Sequence, residues 1–452
     1  MNTNSHHSTL PLPPGNFGLP IIGETLEFFR NPQFAKQRHQ KYGEVFKTHL
    51  FGNPTVFLMG AEANRFLFTN ENKYFNSTWP KSTKQLLGSG SLSVQQGGEH
   101  QKRRKVLAQA FQPRALSSYI ATIESISHEY FQRWQKLQDF AWYPELKNYT
   151  LDIACKLFVG TDGASQTQLG QDYEKFVNGL FSIPINLPWT RFGQACQGRK
   201  RLLAAIEKII HQRQKLTQDT DGIDSIQHRD ALSLLINAKD EEGNNLSIDE
   251  LKDQIITLLF AGHETLTSAL VSFCLQTAQH PEIFTKIYQE QKNLGFAQPL
   301  TLETLSQMTY LDQVLKETMR LIPPVGGGFR QVVETCEFKG YQIPQGWTIL
   351  YQIGFTHQDN RIYSQPEKFD PDRFSPERAE DKNQLFSYIP FAGGMRECLG
   401  KEFAKLEMKI FAALLIRNYR WQILPEQDLG YVMIPTPRPR DGLKVRFFSI
   451  HE

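Results

Sequence analysis

The sequence predicts a mainly α-helical protein with a small β region, and three observations lead there. Residues 100–319 are dominated by apolar side chains at helical spacing, strand-like segments occur near residues 45–59 and 336–353, and one helical pattern runs almost unbroken for roughly 30 residues. At 452 residues, with 40% apolar and 12% aromatic residues, the chain can bury a large core. Its net charge of +3 is near balance, which excludes a strongly basic nucleic-acid binder, and no nucleic-acid partner is expected.

Taken in order, the polar residues 1–9 read as a disordered tail, with His6 and His7 as part of it and not as a metal site; residues 10–452 form a single domain in this reading. Residues 10–20 are rich in Pro and Gly and should be extended. Residues 45–59 resemble a hairpin turning at Gly52-Asn53-Pro54. Further on, Leu202, Ile206, Ile209 and Ile210 share one helical face, and the polar stretch 219–230 reads as a mobile loop. Residues 336–353 are strand-like again, with turns at Gly340 and at 344–346. Strands drawn from both ends of the chain argue for one domain and against independent terminal domains.

The five cysteines, Cys155, Cys196, Cys274, Cys336 and Cys398, form no C-x-x-C pair, and neither a signal peptide nor an apolar run of about 18 residues is present. The expectation is a cytoplasmic protein without disulfides or a transmembrane anchor, with peripheral contact to a membrane left open.

The most informative segment is Phe391-Ala-Gly-Gly-Met-Arg-Glu-Cys-Leu-Gly400, a Gly-rich loop that runs straight into a helical pattern. A helix N-terminus offers unsatisfied N–H groups and the positive end of a dipole, which favour a thiolate, and glycines let backbone approach a flat macrocycle. Phe391, Gly394, Arg396, Cys398 and Gly400 resemble the haem-binding loop of the cytochrome P450 family at each defining position. The resemblance implies heme b (iron protoporphyrin IX) with Cys398 as the iron ligand, a long central helix over the haem and the cysteine loop beneath it. Thiolate ligation favours O–O cleavage.

The long helical pattern opens with a capping box, Ser247-Ile-Asp-Glu250, and ends at Pro281. Inside it, Ala261-Gly-His-Glu-Thr265 places Gly in a helix interior at a cost of about 1 kcal/mol relative to Ala. Taken alone, Thr265 would back-bond to the Ala261 carbonyl and Glu264 would be a solvated carboxylate. The family resemblance implies instead that Ala261 and Gly262 lie beside the iron, that Gly262 permits close approach, and that Glu264 and Thr265 deliver protons to bound dioxygen.

Glu317 and Arg320 face one another at i, i+3, and the resemblance implies that they join Arg373 in a buried structural network behind the haem. Candidate cations for the haem propionates are Arg396, Arg330 and the pair His100 and Arg104, with Lys102 and Arg103 read as solvated. Residues 76–92, 179–185 and 323–330 resemble the branch that hydroxylates retinoic acid and its cyanobacterial relatives. That similarity implies an apolar substrate channel lined by Trp79, Leu87, Phe181, Ile185, Phe260, Val325 and Gly327.

No dinucleotide fingerprint or flavin domain is legible, so electrons would come from partners of the ferredoxin and ferredoxin reductase type, docking near Lys102, Arg103, Lys105, Lys401 and Lys405. The function that the resemblance implies is that of a monooxygenase, an oxidoreductase acting on paired donors with incorporation of O2, hydroxylating a retinoid or related isoprenoid. Fatty-acid or sterol hydroxylation on the same fold is the nearest alternative. A haem-thiolate isomerase or a haem-binding protein that never activates oxygen would have less need of Glu264 and Thr265.

Overall fold

Residues 10–20, 23–219 and 230–450 are described by a computed structural model, the side chains of 216–219 excepted. The N-terminal tail with His6 and His7, and the body of the 219–230 segment, lie outside the described residues. The chain forms two compact units, each assembled from distant segments: Met1–Pro80, Gly326–Pro366 and Glu380–Glu397 make the first, and Lys81–Val325, Glu367–Ala379 and Cys398–Glu452 the second.

The first unit holds the sheet that the sequence pattern calls for. Val45–Leu50 (β1) and Asn53–Leu58 (β2) pair antiparallel, joined by Phe51 and Gly52 at positive φ. Phe75–Thr78 (β3), Gly327–Val332 (β4) and Thr348–Gln352 (β5) complete it in the order β1-β2-β5-β4-β3, with β2 and β5 parallel. Apolar residues at alternate positions are buried on a face covered by the helix Ala61–Thr69 (α1), whose Leu67 and Phe68 pack on Val45, Phe75, Val332 and Tyr351. Each such buried side chain stabilises by roughly 1.5–3 kcal/mol. A hairpin of Cys336–Phe338 and Tyr341–Ile343 turns at Lys339 and Gly340, both at positive φ.

The second unit is helical: Gly97–Ala108 (α2), Pro113–Leu137 (α3), Trp142–Phe158 (α4), Gln168–Gly179 (α5), Arg191–Asp219 (α6), Ile248–Gln279 (α7), Thr309–Leu321 (α8) and Lys401–Asn418 (α9) are its main elements. Leu202, Ile206 and Ile210 are buried as the helical pattern requires. α7 is 32 residues long, about 48 Å at 1.5 Å per residue. It starts at the reciprocal Ser247–Glu250 capping box and stops at His280, because Pro281 lacks the N–H that would continue it. Although apolar enough by composition to cross a membrane, α7 is mostly buried inside the protein, as a core helix is. α9 inserts Phe403 and Phe411 among the aromatic rings of Tyr119, Phe131, Trp134, Trp142 and Tyr149 from α3 and α4.

On α9, between Phe403 and Phe411, stands Glu407, fully buried with no hydrogen-bond partner for Oε1. Burial holds its carboxyl well above the ordinary carboxylate range, which favours the protonated form. A folded-state value above the unfolded one gives stability that is complete at acid pH and falls as pH rises, because the unfolded chain then gains by ionising. Glu407→Gln should therefore unfold at a higher temperature than the parent at pH 8 and at nearly the same temperature near pH 4; thermal melts across that range check it.

Candidate functional site

The cysteine loop is shaped by its own unit before any ligand is considered. Gly394 has φ of 65°, and a Cβ there would fall 2.6 Å from the Phe68 carbonyl oxygen; one on Gly393 would come within 2.9 Å of the Phe68 and Phe386 rings. These glycines are thus required by packing against α1, where approach to a macrocycle had been the expected reason. Phe391 is half-buried, Gly394–Arg396 make one 3-10 turn, and Gly400 caps α9, three residues before which Cys398 sits. At Gly400 the nearest atom to an added Cβ is Phe111 Cε1 at 3.8 Å, so that position is open. Cys398 is exposed, whereas burial pushes the thiols of Cys155 and Cys274 up. Among the described residues no group of three His, Cys, Asp or Glu side chains could hold a bare metal ion.

Two of the proposed propionate cations meet on one carboxylate that the sequence reading missed. Arg330 Nε donates to Glu71 Oε2 at 2.6 Å, and Arg396 Nε lies 3.4 Å from Glu71 Oε1, with all three side chains at most 8% exposed. Ser77 N also donates to Glu71, at 2.9 Å. Two guanidiniums on one buried carboxylate give the trio a net charge of +1, the sign that an anionic propionate needs. A lone acid between two asparagines gave no signal of this role in the sequence.

His100 is buried on α2, one turn before Arg104. Lys102 pairs with Glu242 at 3.0 Å, Lys105 with Glu241 at 2.6 Å, and Arg103 with Glu250. Arg104, half-buried, makes no ion pair among the described residues, which leaves its guanidinium for another anion. These pairs correct two expectations. Arg103 is no solvated cation but a largely covered partner of the α7 capping glutamate, and Lys102, Arg103 and Lys105 are each neutralised by a nearby acid, so they do not form an open basic patch. Lys405 likewise pairs with Glu402 at 3.0 Å.

On α7, Ala261 is exposed and Phe260, Gly262 and Thr265 are half-buried, an accessible stripe in a helix whose other central residues are covered. A Cβ on Gly262 would meet Phe158 Cε2 at 3.1 Å, so α4 supplies a reason for glycine that close approach to iron had been expected to supply. Thr265 Oγ1 donates to the Ala261 carbonyl at 2.7 Å, the ordinary back-bond. Glu264 is not solvated. Its side chain is 6% exposed, with Oε1 3.3 Å from His263 Nδ1 and 3.7 Å from Lys147 Nζ on α4. Burial pushes its carboxyl up, but His263, Lys147 and Arg438 outweigh that and hold it down at about 2. The acid and hydroxyl expected to act together therefore have separate partners here.

Glu317, Arg320 and Arg373 are brought together with no exposed surface. Glu317 Oε2 accepts from Arg320 Nε at 2.6 Å, and Oε1 accepts from Arg320 at 2.8 Å, Arg373 Nε at 3.1 Å and Asp370 N at 2.9 Å. The expected channel residues are less uniform. Trp79, Phe181 and Phe260 are half-buried, while Ile185 and Val325 are exposed. Leu87 is completely buried and faces no space that a water could enter, so it is core and not channel lining. Gly327 is fixed by the sheet, since a Cβ there would fall 1.9 Å from the Tyr351 carbonyl oxygen.

An exposed cysteine at the start of a helix, buried arginines with net positive charge, an arginine without an ion pair and an accessible stripe on a core helix fit one class, a haem-thiolate enzyme. The cytochrome P450 family model matches residues 13–443. Cytochrome P450 120 of Synechocystis is 50% identical over 98% of both chains. Cytochrome P450 26B1 of zebrafish and of human are each 36% identical over 99% of this chain and 89% of theirs. The solved structure of retinoic acid bound cyanobacterial CYP120A1 matches with a TM-score of 0.92 at 50% identity, covering 98% of this chain and 100% of that one. The chain belongs to the cytochrome P450 family. It is a monooxygenase with heme b as its prosthetic group.

Proposed function

We propose that this cytochrome P450 hydroxylates a retinoid or a closely related isoprenoid, using O2 and electrons from a ferredoxin-type partner. The observation that carries the substrate class is the bound retinoic acid of a solved structure half identical to this chain over nearly its whole length. Accessible apolar surface on Phe181, Ile185, Phe260 and Val325 suits such a molecule better than a polar metabolite. The haem, when bound, supplies the activation of dioxygen.

The chain's own residues divide the remaining work. Cys398 is the sulfur ligand, favoured as thiolate by the N-terminal end of α9. Arg104, Arg330 and Arg396, with His100, hold the propionates, and Glu71 fixes two of these arginines in place. Glu264 is the proton donor and Thr265 the hydroxyl that orders the last hydrogen bond, which requires each to leave its present partner. The electron donor is an acidic ferredoxin approaching the N-terminal end of α9 near Lys401.

The test is titration of the ferric enzyme with all-trans-retinoic acid, followed by turnover with NADPH, a surrogate ferredoxin and its reductase. A shift of the haem to high spin and a hydroxylated product are expected. A spin shift with fatty acids or sterols alone would contradict the substrate class, and an isomerised product formed without reductant would contradict the reaction class.

A further inference from the structure

We propose that His263 is a positioning residue that holds one proton beside Glu264 and keeps the carboxylate turned toward α4 until that proton is used. The inference rests on the reading of Glu264 as proton donor and assigns it a partner.

Both ring nitrogens of His263 face acceptors. Nε2 lies 2.9 Å from the carbonyl oxygen of Lys147, and Nδ1 stands 3.3 Å from Glu264 Oε1. A neutral imidazole carries one N–H and can serve only one of them; the doubly protonated ring serves both. Nδ1 and Oε1 make no hydrogen bond as they stand, and their contact becomes a charge pair only when the ring is doubly protonated. The ring is 1% exposed and set edge-on to Tyr173 at 5.2 Å, which restricts it to this orientation.

Charged and titratable groups from every neighbouring element bear on the pair. Lys147 of α4 lies 3.7 Å from Glu264 and 3.7 Å from Glu174 of α5. Tyr143 of α4 and Tyr173 of α5 sense the Glu264 charge, and Arg438 acts on Glu264 and on Tyr143. Of these, Glu174 is 65% exposed and Lys147 is 25% exposed, so this cluster opens to solvent on the α4–α5 side. Thr265 and Ala261 form the accessible stripe, whereas Glu264 is turned to Lys147.

The step is balanced without an added reactant. The Nδ1 proton passes to Oε1, leaving a neutral imidazole and a neutral carboxylic acid. The acid, released from its charge contacts, would turn toward Thr265, and with haem, dioxygen and the donor's electrons supplied its proton would go to the reduced dioxygen, which leaves Glu264 a carboxylate again. Solvent protons entering by Lys147 and Glu174 restore the pair.

The experiment compares the parent with His263→Gln, His263→Phe and Glu264→Gln as haem-loaded enzymes, during NADPH turnover with retinoic acid and the surrogate ferredoxin system. Three quantities are read from pH 6 to pH 9: hydroxylated product per NADPH, hydrogen peroxide per NADPH, and the rate ratio in H2O and D2O. His263→Gln keeps a donor for the Lys147 carbonyl but cannot carry the extra proton. It should bind retinoic acid as the parent does, lose roughly tenfold in product per NADPH with a matching rise in peroxide, and show a flat pH profile where the parent falls with rising pH. His263→Phe should show the same loss with weaker folding; if it fails to fold, the Gln variant decides alone. Parent-like product, peroxide and pH profile in His263→Gln, beside a defective Glu264→Gln, would overturn the inference and spare Glu264. A parent-like Glu264→Gln would overturn both.

Discussion

Replacing Glu317 with alanine is expected to leave little folded protein and none that retains haem. Its carboxylate accepts from Arg320 through both oxygens and from Arg373, with no part of any of the three side chains exposed. It also accepts from the Asp370 backbone N–H, which ties the turn Pro371–Phe374 to α8. The substitution leaves two guanidiniums in a region built for two cations and one anion. Removing one partner of a buried network costs about 3–5 kcal/mol. Set against a total stability of about 5–15 kcal/mol, that is enough to shift the folding equilibrium by orders of magnitude. Denaturant melts and the haem-to-protein absorbance ratio measure it. Arg320→Lys should be milder, because it keeps the charge but loses the two-pronged geometry.

Glu264→Gln is expected to fold, to bind haem and substrate, and to lose product formation by about 10²-fold, with hydrogen peroxide taking the place of product. Gln fills the same volume but cannot take up a proton and hand it on. The parent carboxyl, held at about 2 against an ordinary 4.5, is ionised throughout the working range. A depressed folded-state value means that its ion pairs add stability above about pH 4.5, and that this stability is lost as pH falls toward 2. Glu264→Gln should therefore lower the melting temperature at pH 7 and change it much less at pH 3. Steady-state product and peroxide yields, with melts at both pH values, check the two halves.

The elements were legible because their causes are local. The hairpin at Gly52, the capping box at Ser247 and the stop at Pro281 each depend on residues within a few positions, and each stands where the pattern puts it. The buried trio of Glu317, Arg320 and Arg373 was reached through family resemblance, since nothing local says that an i, i+3 pair will be buried with an arginine far along the chain.

What stayed hidden depends on tertiary neighbours. Gly393 and Gly394 of the cysteine loop leave no room for a Cβ against Phe68, and a Cβ on Gly262 would crowd the Phe158 ring. Leu87 looked like channel lining and is core. Lys102, Arg103 and Lys105 looked like an open basic patch until Glu242, Glu250 and Glu241 were found against them. Glu71 and Lys147 carry no sequence signal, because a lone surface-type residue acquires its role only from what folds over it.

The most direct test of Cys398 as the iron ligand is the absorption spectrum of the reduced, carbon-monoxide-bound protein beside that of Cys398→Ser. The parent should show the strongly red-shifted Soret band of a thiolate-ligated haem, and Cys398→Ser should lose that band together with oxygenation of substrate. A parent without the red-shifted band, or a serine variant that keeps it, would contradict the assignment.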